Sequence, residues 1–553
     1  MKKTATKKQR QDGMFYTPLP FAKKALEYIE QTLGESWWAS GEYRLWDMAA
    51  GTGNLEHYLL QDALKYCYLS TLYQEDVEYL QRFFSDCEVF QYDYLNDDAD
   101  NVFADNIVLN SELKWKMPEK LRNDLTNPKL KWIILINPPF ATASAGLGRG
   151  SNKENIAVTK VRQQMNIDDL GEVSRELFSQ FIYRIKYEFE HRIAYLGLFA
   201  KVKYINSNND EKLRKKIFQF LFENGFIFSS VNFHGTSRNN QFPVSFALWK
   251  LSEHKQLELQ KIQLDILDEH IEKIGVKQIV AKNKEKHLNR WIVRPPATIK
   301  FPPFSSAITV GCDNIDRRDR IAEGFLASLR IVGNDFLNQK LVYLLSAPAV
   351  SAGALSVTPE NFEQAMVVHA ARRLPKATWL NDRDQFMQPN QELSEEFVTD
   401  CTVWNLFCNS NQTVSLCNVK YEGKIYRIHN HFFPFKTDEV KKWDIADNNI
   451  KTTLFSMEDT FVAEWLSKRK WSSEVWNVWN QAKEIYCFYF ANLNNLHPLK
   501  FKIETYDAGW WQIRHTLQDA GLGEKELTKL KQVHNKLREK LLPKLKEYGI
   551  IEG

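Results

Sequence analysis

Two short segments combine residue types in arrangements that can do chemistry. Ile134-Leu135-Ile136-Asn137-Pro138-Pro139-Phe140 is an apolar run that ends in Asn-Pro-Pro-Phe. Proline has a fixed φ and no N–H, so Asn137 is followed by a stiff backbone whose carbonyls are left to accept hydrogen bonds. The side-chain oxygen of Asn137 and the carbonyl of Pro138 can together accept both hydrogens of a planar NH2. Fixed dipoles of this kind draw the nitrogen toward tetrahedral geometry and localise its lone pair for attack. Asn137 is uncharged and need not be a strong base. The ordinary reading of the same residues is a strand stopped by two prolines behind a capping Asn. The second segment, Leu45 to Glu56 (LWDMAAGTGNLE), reads as a strand, a tight glycine turn and a helix. Gly51 and Gly53 let the backbone approach a ligand closely, and Asp47 sits where a carboxylate could meet a ligand's amine. A dinucleotide fingerprint needs a third glycine where this chain has Glu56, which counts against NAD.

The elements that must hold these segments follow from periodicity. Helical spacing covers Ala22 to Leu33, Leu55 to Leu64, Val77 to Phe84, Ser174 to Phe189 and Glu211 to Asn224. Strands are expected at Tyr43 to Met48, Tyr68 to Tyr73, Val89 to Tyr92, Trp132 to Ile136 and Ala194 to Ala200, followed by a pair at Ile227 to Phe233 and Ser245 to Leu251. Strands separated by helix-length segments indicate an α/β fold: a mostly parallel, doubly wound sheet with helices on both faces and ligands at the carboxyl ends of the strands. Beyond residue 251 the alternation stops. Lys255 to His287 is charged and helix-prone, and the Pro-punctuated RPPATIKFPPF (294–304) marks a boundary. The expected division is a catalytic domain over 1–255, a linker over 256–305 and a mixed α+β domain over 306–553. Tryptophans crowd the last part of the chain, with the Trp471 to Leu493 helix expected to use them as core, and a charged helix is expected from Glu524 to Tyr548.

Composition bounds the function classes. At 553 residues the chain exceeds what one hydrophobic core serves, so two or three domains are expected. Lys and Arg number 73 against 69 Asp and Glu, a formal net charge of +4, so any basic surface must come from arrangement rather than excess. No run of 18 apolar residues suggests a membrane span. The basic N-terminus lacks the apolar stretch of a secretory signal, which makes a cytoplasmic location the expectation. The seven cysteines contain no C-x-x-C pair and are read as reduced, mostly buried thiols, with no metal site.

Five segments then fall in a shared order: GMFYTP (13–18), DMAAGTG (47–53), QYDYL (91–95), NPPF (137–140) and NQFPVSFALW (240–249). In order and spacing they match motifs X, I, III, IV and VIII of the class I adenine-N6 DNA methyltransferases of the gamma arrangement, and the chain resembles that family from about residue 13 to 250. The resemblance implies a Rossmann-like methyltransferase domain that uses S-adenosylmethionine, releases S-adenosylhomocysteine and acts on double-stranded DNA. It places Phe15, Tyr16 and Thr17 at the methionine part of the cofactor and Asp47, Ala49, Gly51 and Gly53 at its amino-acid end. Of Gln74, Glu75 and Asp76, Glu75 is preferred for the ribose hydroxyls. Asp93 and Tyr94 would hold the cofactor's adenine. Asn137, Pro138, Pro139 and Phe140 would grip the target base, with Phe140 stacking on one face and Phe242 on the other. An adenine N6 is reached only when the base leaves the duplex, and aromatic stacking returns part of the unstacking cost.

The segment 141–165 is expected to be a mobile loop that meets phosphates through Arg149, Lys153, Lys160 and Arg162, a plain solvated loop being the alternative. The C-terminal part takes the place of a target-recognition domain, and residues 401–435 look like segments of larger bacterial type II methyltransferases. Asn409 to Thr413, Asn409 and Asn411 above all, are candidates for base contacts, because Asn and Gln pair bidentately with adenine edges. About a dozen residues precede the first motif, and Glu422-Gly423-Lys424 has no convincing acidic partner upstream. A solitary modification enzyme, or one served by a separate restriction endonuclease, is therefore expected, with a monomer slightly favoured. Two other readings stay open: the same N-P-P-aromatic chemistry on RNA or a protein glutamine, and a non-catalytic DNA-binding protein with a methyltransferase fold.

Overall fold

The computed structural model describes residues 16–104, 114–139, 158–233, 241–303, 319–349, 353–445, 458–493, 496 and 507–551. The chain divides into two compact units. One runs to Lys284 and takes in Thr378–Arg383, and the other holds Glu285–Ala377 and the chain from Asp384 onward.

The first unit is organised by strand β4 (Lys131–Ile136), whose apolar run is buried on both faces. Alternation sends Ile133 and Leu135 into one core and Trp132, Ile134 and Ile136 into the other, so a continuous hydrophobic stretch serves two layers at once. Around it lie β1 (Tyr43–Asp47), β2 (Cys67–Thr71), β3 (Glu88–Gln91), β5 (Ala194–Lys201), β6 (Phe220–Ser229), β7 (Pro243–His254), β8 (Ile262–Leu267) and β9 (Lys273–Ile279). Together they form a nine-stranded sheet in the order β3-β2-β1-β4-β5-β7-β6-β8-β9. The pairs β3–β2, β2–β1, β1–β4 and β4–β5 are parallel, and β7 runs antiparallel to both β5 and β6. This is a Rossmann-like, doubly wound α/β sheet with an antiparallel strand inserted beside β5.

Helices cover both faces. Helix α1 (Leu19–Leu33) starts on Pro18 and stops where Gly34 takes a φ of 89°, and it buries Phe21, Ala22, Ala25, Leu26 and Ile29 along one stripe. The Phe21 ring stacks on Phe228 of β6 at 3.9 Å. On the opposite face α4 (Leu177–Phe189) contributes Phe181, Ile182, Ile185 and Phe189, and helices α2 (Gln74–Phe83) and α3 (Lys160–Ile167) complete the layers.

Three expectations change. The helix expected over Leu55 to Leu64 is confined to Gln61–Leu64, the preceding residues forming turns. The helix expected from Glu211 ends at Lys216, because the aromatic run from Phe218 enters the sheet, with β6 starting at Phe220. The stretch 256–305, expected as a linker, instead supplies β8 and β9. β9 is the edge strand, with Lys273 exposed and Lys277 half-buried along it, charges that discourage further strand pairing.

The second unit has its own core and its own sheets. Strands β12 (Ala327–Ile331), β13 (Val342–Leu345), β14 (Ala354–Val357) and β15 (Asn411–Gln412) form a sheet in the order β14-β12-β13-β15. Two small ribbons join β10 (Ile299–Lys300) to β11 (Arg320–Ile321) and β16 (Leu416–Tyr421) to β17 (Lys424–Ile428). The core lies among α5 (Phe362–Arg373), α6 (Glu395–Leu406), α7 (Ser473–Ala491), α8 (Trp510–Asp519) and α9 (Glu524–Glu547). Trp479 and Trp510 are buried in it, while Trp476 is 51% exposed on the outer face of α7. No helix among the described residues is long and apolar enough to cross a membrane.

Candidate active site

The strand order reverses at β1, whose neighbours are β2 on one side and β4 on the other, and in an open α/β sheet such a switch point opens a crevice at the carboxyl ends. Leu45 and Trp46 lie opposite Ile133 and Ile134, so Asp47 and Asn137 end adjacent strands at that crevice. β7 runs the other way, with Val244 opposite Lys201, which brings Phe242 at its start to the same edge of the sheet.

Thr17 ties the segments together. It is 1% exposed. Its hydroxyl accepts from Nδ2 of Asn137 at 3.0 Å, and its carbonyl accepts from Nδ2 of Asn54 at 2.9 Å. Residues 120 apart in sequence are thereby locked, and with the donor end of Asn137 held by Thr17 the amide orientation is set. Pro138 is buried and Pro139 half-buried behind it.

In the glycine turn, Gly51 and Gly53 take φ values of 54° and 72°. A Cβ on Gly51 would meet the Tyr16 ring at 2.9 Å, so Tyr16 lies against the turn. Gly53 has a different reason to be glycine: a Cβ there would come within 2.4 Å of Phe84, just beyond α2. Asp47 is buried and accepts from the Ala49 amide at 2.7 Å. Beside it lies Glu56, also buried, and burial pushes both carboxyls above the usual carboxylate range, Glu56 further because Asp47 adds to the effect. Neither Glu56 oxygen has a hydrogen-bond partner, so two acidic side chains share one dry space, and the charge of Asp47 favours the protonated form of Glu56. Glu56, seen in the sequence as a missing glycine, is thus an electrostatic neighbour of Asp47.

On α2, Glu75 is exposed, whereas Asp76 is buried. Burial first, and then the Asp76 carboxylate, push the Tyr16 hydroxyl up to about 12. The geometry therefore puts Asp76, rather than Glu75, on the side of the glycine turn. Asp93 accepts from the Leu95 amide at 3.1 Å and from Asn96 Nδ2 at 2.8 Å, a tight local turn whose oxygens keep further acceptor capacity.

Tyr94 departs from expectation. Its side chain is fully within the core, the hydroxyl donates to Glu188 at 2.6 Å and the ring stacks on Phe181. It belongs to a network that periodicity alone did not single out. Arg184 of α4, 0% exposed, pairs with Glu188 at 3.0 Å and donates to the Tyr92 hydroxyl at 2.7 Å and the Asp97 carbonyl at 2.8 Å. These bonds fasten the loop 92–97, which carries Asp93, from beneath.

Phe242 is half-buried, and the Lys201 ammonium sits 4.4 Å from its ring centroid. Burial, with Arg383 and Lys203 nearby, brings Lys201 down to about 8. Of the other candidates, Phe15, Phe140, Arg149 and Lys153 lie outside the described residues. In the second unit Asn409 is exposed and accepts from Arg514. Asn411 is not available to bases: it is 2% exposed, donates to the Leu406 carbonyl and accepts from Thr413. Among the described residues no group of three metal-ligating side chains is assembled.

No family model matches the chain, and no curated protein matches it. Similar solved structures include a DrdV–DNA complex, at 14% identity and a TM-score of 0.37, which covers 59% of this chain and 36% of that one. The type IIG restriction endonuclease BpuSI aligns at 10% identity and a TM-score of 0.32, over 94% of this chain and 67% of that one. The M protein of the type I restriction enzyme EcoKI aligns at 12% identity and a TM-score of 0.28, over 46% and 49%. The chain thus spans well under two thirds of the DrdV and EcoKI chains.

Proposed function

We propose that the chain is a DNA methyltransferase that moves a methyl group from S-adenosylmethionine to N6 of an adenine turned out of double-stranded DNA. The observation that carries this reading is the Thr17 clamp, which joins the Gly51 turn to Asn137 at the switch point of the sheet. A methyl-donor site and an acceptor site for a planar amine are then adjacent.

The residues fit the cofactor. The Gly51 turn leaves a concave backbone beneath Tyr16, Asp76 faces the same side, and Asp93 keeps lone pairs for an exocyclic amine. When bound, S-adenosylmethionine supplies an electrophilic methyl on a sulfonium. The chain's own part is at the amine. Asn137 Oδ1 and the Pro138 carbonyl would accept the two N6 hydrogens, hold the amine's lone pair toward the methyl donor, and let one N6 proton pass to solvent once the nitrogen is alkylated. Phe242 walls the base, with Lys201 against it. The second unit serves as the target-recognition domain in this reading.

Asn137→Ala removes the acceptor and the Asn137 half of the Thr17 clamp, and leaves the bond from Asn54 to the Thr17 carbonyl in place to hold the glycine turn. The expected result is methyl transfer reduced by about 100-fold or more with cofactor affinity retained, the loss typical when one aimed dipole is deleted. Sequencing DNA from a host without adenine methylation, with and without the wild-type chain, reads the product directly. N6-methyladenine at one recurring motif is the expected outcome. An unmodified genome from a chain that binds S-adenosylmethionine would move the substrate to RNA or protein.

A further inference from the structure

The second unit contains a cavity of about 700 Å³ between the carboxyl end of α5, the turn after α6, and helices α8 and α9. Its volume lies in the range of small-molecule sites. Four cations line it, Arg373, Arg514, Arg538 and Lys531, against one carboxylate, Glu524. Arg373 and Arg514 are half-buried, and burial pulls both guanidiniums below their usual range.

Among the described residues none of the four cations forms an ion pair. Their recorded bonds are to neutral groups: Arg373 to the Gln339 carbonyl at 2.9 Å, Arg538 to the Leu374 carbonyl at 2.8 Å, and Arg514 to Asn409 and His515. A guanidinium has five N–H donors, so most of this donor capacity is unspent, and Nε of Arg514 is buried without an acceptor. The indole N–H groups of Trp404 and Trp510, on the same lining, are likewise buried without acceptors. His534 adds no charge, since burial takes it down to about 4 while its ring stacks on Trp404 at 5.1 Å.

Half-buried guanidiniums without counter-ions are partly desolvated at a cost to the folded chain, and a concavity that gathers three of them with Lys531 at its rim suits an anion. Arginine forks match the oxygens of a phosphate, and aromatic walls suit a ring attached to it. We propose that this cavity binds a nucleoside phosphate, its phosphate on Arg373 and Arg514 and its ring along Trp404 and Trp510. That chemistry is shared by a free mononucleotide and by a nucleotide within a DNA strand. The proposal does not depend on methyl transfer.

Calorimetric titration of the full chain with guanosine and deoxycytidine monophosphates, which lack the adenine of the cofactor, reads the first source. A short duplex of fixed sequence reads the second. Arg514→Gln and the rim variant Lys531→Glu, with unfolding midpoints checked, keep the result independent of misfolding. The expected result is saturable binding weakened about tenfold or more by Arg514→Gln and more mildly by Lys531→Glu. Mononucleotide binding that inorganic phosphate displaces assigns a free ligand. Duplex binding that both variants weaken, without mononucleotide binding, assigns a nucleotide in a strand. Affinities for both probes that are absent, or unchanged in folded variants, overturn the proposal.

Discussion

Asp47 and Glu56 put two carboxyl groups into one buried space at the root of the glycine turn. Both titrate above their unfolded values, so their contribution to stability is fully present below the ordinary carboxylate range and is lost as pH rises through the raised values. Gln at position 56 keeps the side chain's size and removes its titration and its charge beside Asp47. Glu56→Gln is therefore expected to be about 1–3 kcal/mol more stable than wild type at pH 8, with the difference shrinking toward pH 5. Urea unfolding at the two pH values measures it, and a gain that is the same at both would mean that the ionisation of Glu56 is not what burial opposes. The sequence made Asp47 and Asn137 legible because each sits in a local pattern. Asp47's acidic neighbour was hidden, since two carboxyls brought together across a turn leave no signal beyond an unexpected acid. Asn411 was misjudged for a related reason: a polar residue in a loop looks the same whether it faces solvent or, as here, holds the loop's own backbone.

At the scale of elements, α4 positions the site as well as covering the sheet. Arg184 and Glu188, one turn apart on its buried face, hold the 92–97 loop through Tyr92, Tyr94 and the Asp97 carbonyl. Removing one member of a buried pair strands the other, so Arg184→Met is expected to cost about 3–5 kcal/mol. Pairing it with Glu188→Leu should recover a large part of that loss. If Asp93 holds the cofactor as proposed, cofactor affinity should stay weakened in the double variant because the loop has lost its anchor. Denaturant midpoints and calorimetric titration with S-adenosylmethionine separate the two effects, and wild-type affinity in the double variant would deny the loop any positioning by Arg184. The elements that the sequence disclosed best are those with a single buried period: α1, β4, β5 and α4 appear within a few residues of expectation. β8 and β9 were illegible because charge on an exposed edge strand resembles charge on a solvated helix. The Glu211 helix was overextended because Ile217, Phe218 and Phe220 continue a helical spacing before turning into the sheet.

The whole molecule carries separate cores. The hydrophobic residues of the first unit gather on the two faces of its nine-stranded sheet, into which Trp379 and Leu380 also pack. Those of the second gather among its helices and its four-stranded sheet. A unit with its own core can unfold on its own, and such chains depart from a single two-state transition. S-adenosylmethionine at about 100 times its dissociation constant stabilises the unit that binds it by about 2.7 kcal/mol. In differential scanning calorimetry the expected trace has two transitions, of which the cofactor raises one by about 5 °C and leaves the other in place. Leu537→Ala, a cavity in the α9 core of the second unit, should lower the other by about 2–5 kcal/mol and leave the cofactor-sensitive transition unmoved. If the cofactor and the Leu537 cavity both shift a single common transition, the two units share one cooperative structure. Cofactor occupancy would then be energetically linked to whatever the second unit binds, and the same titrations, repeated with duplex DNA, would measure that coupling.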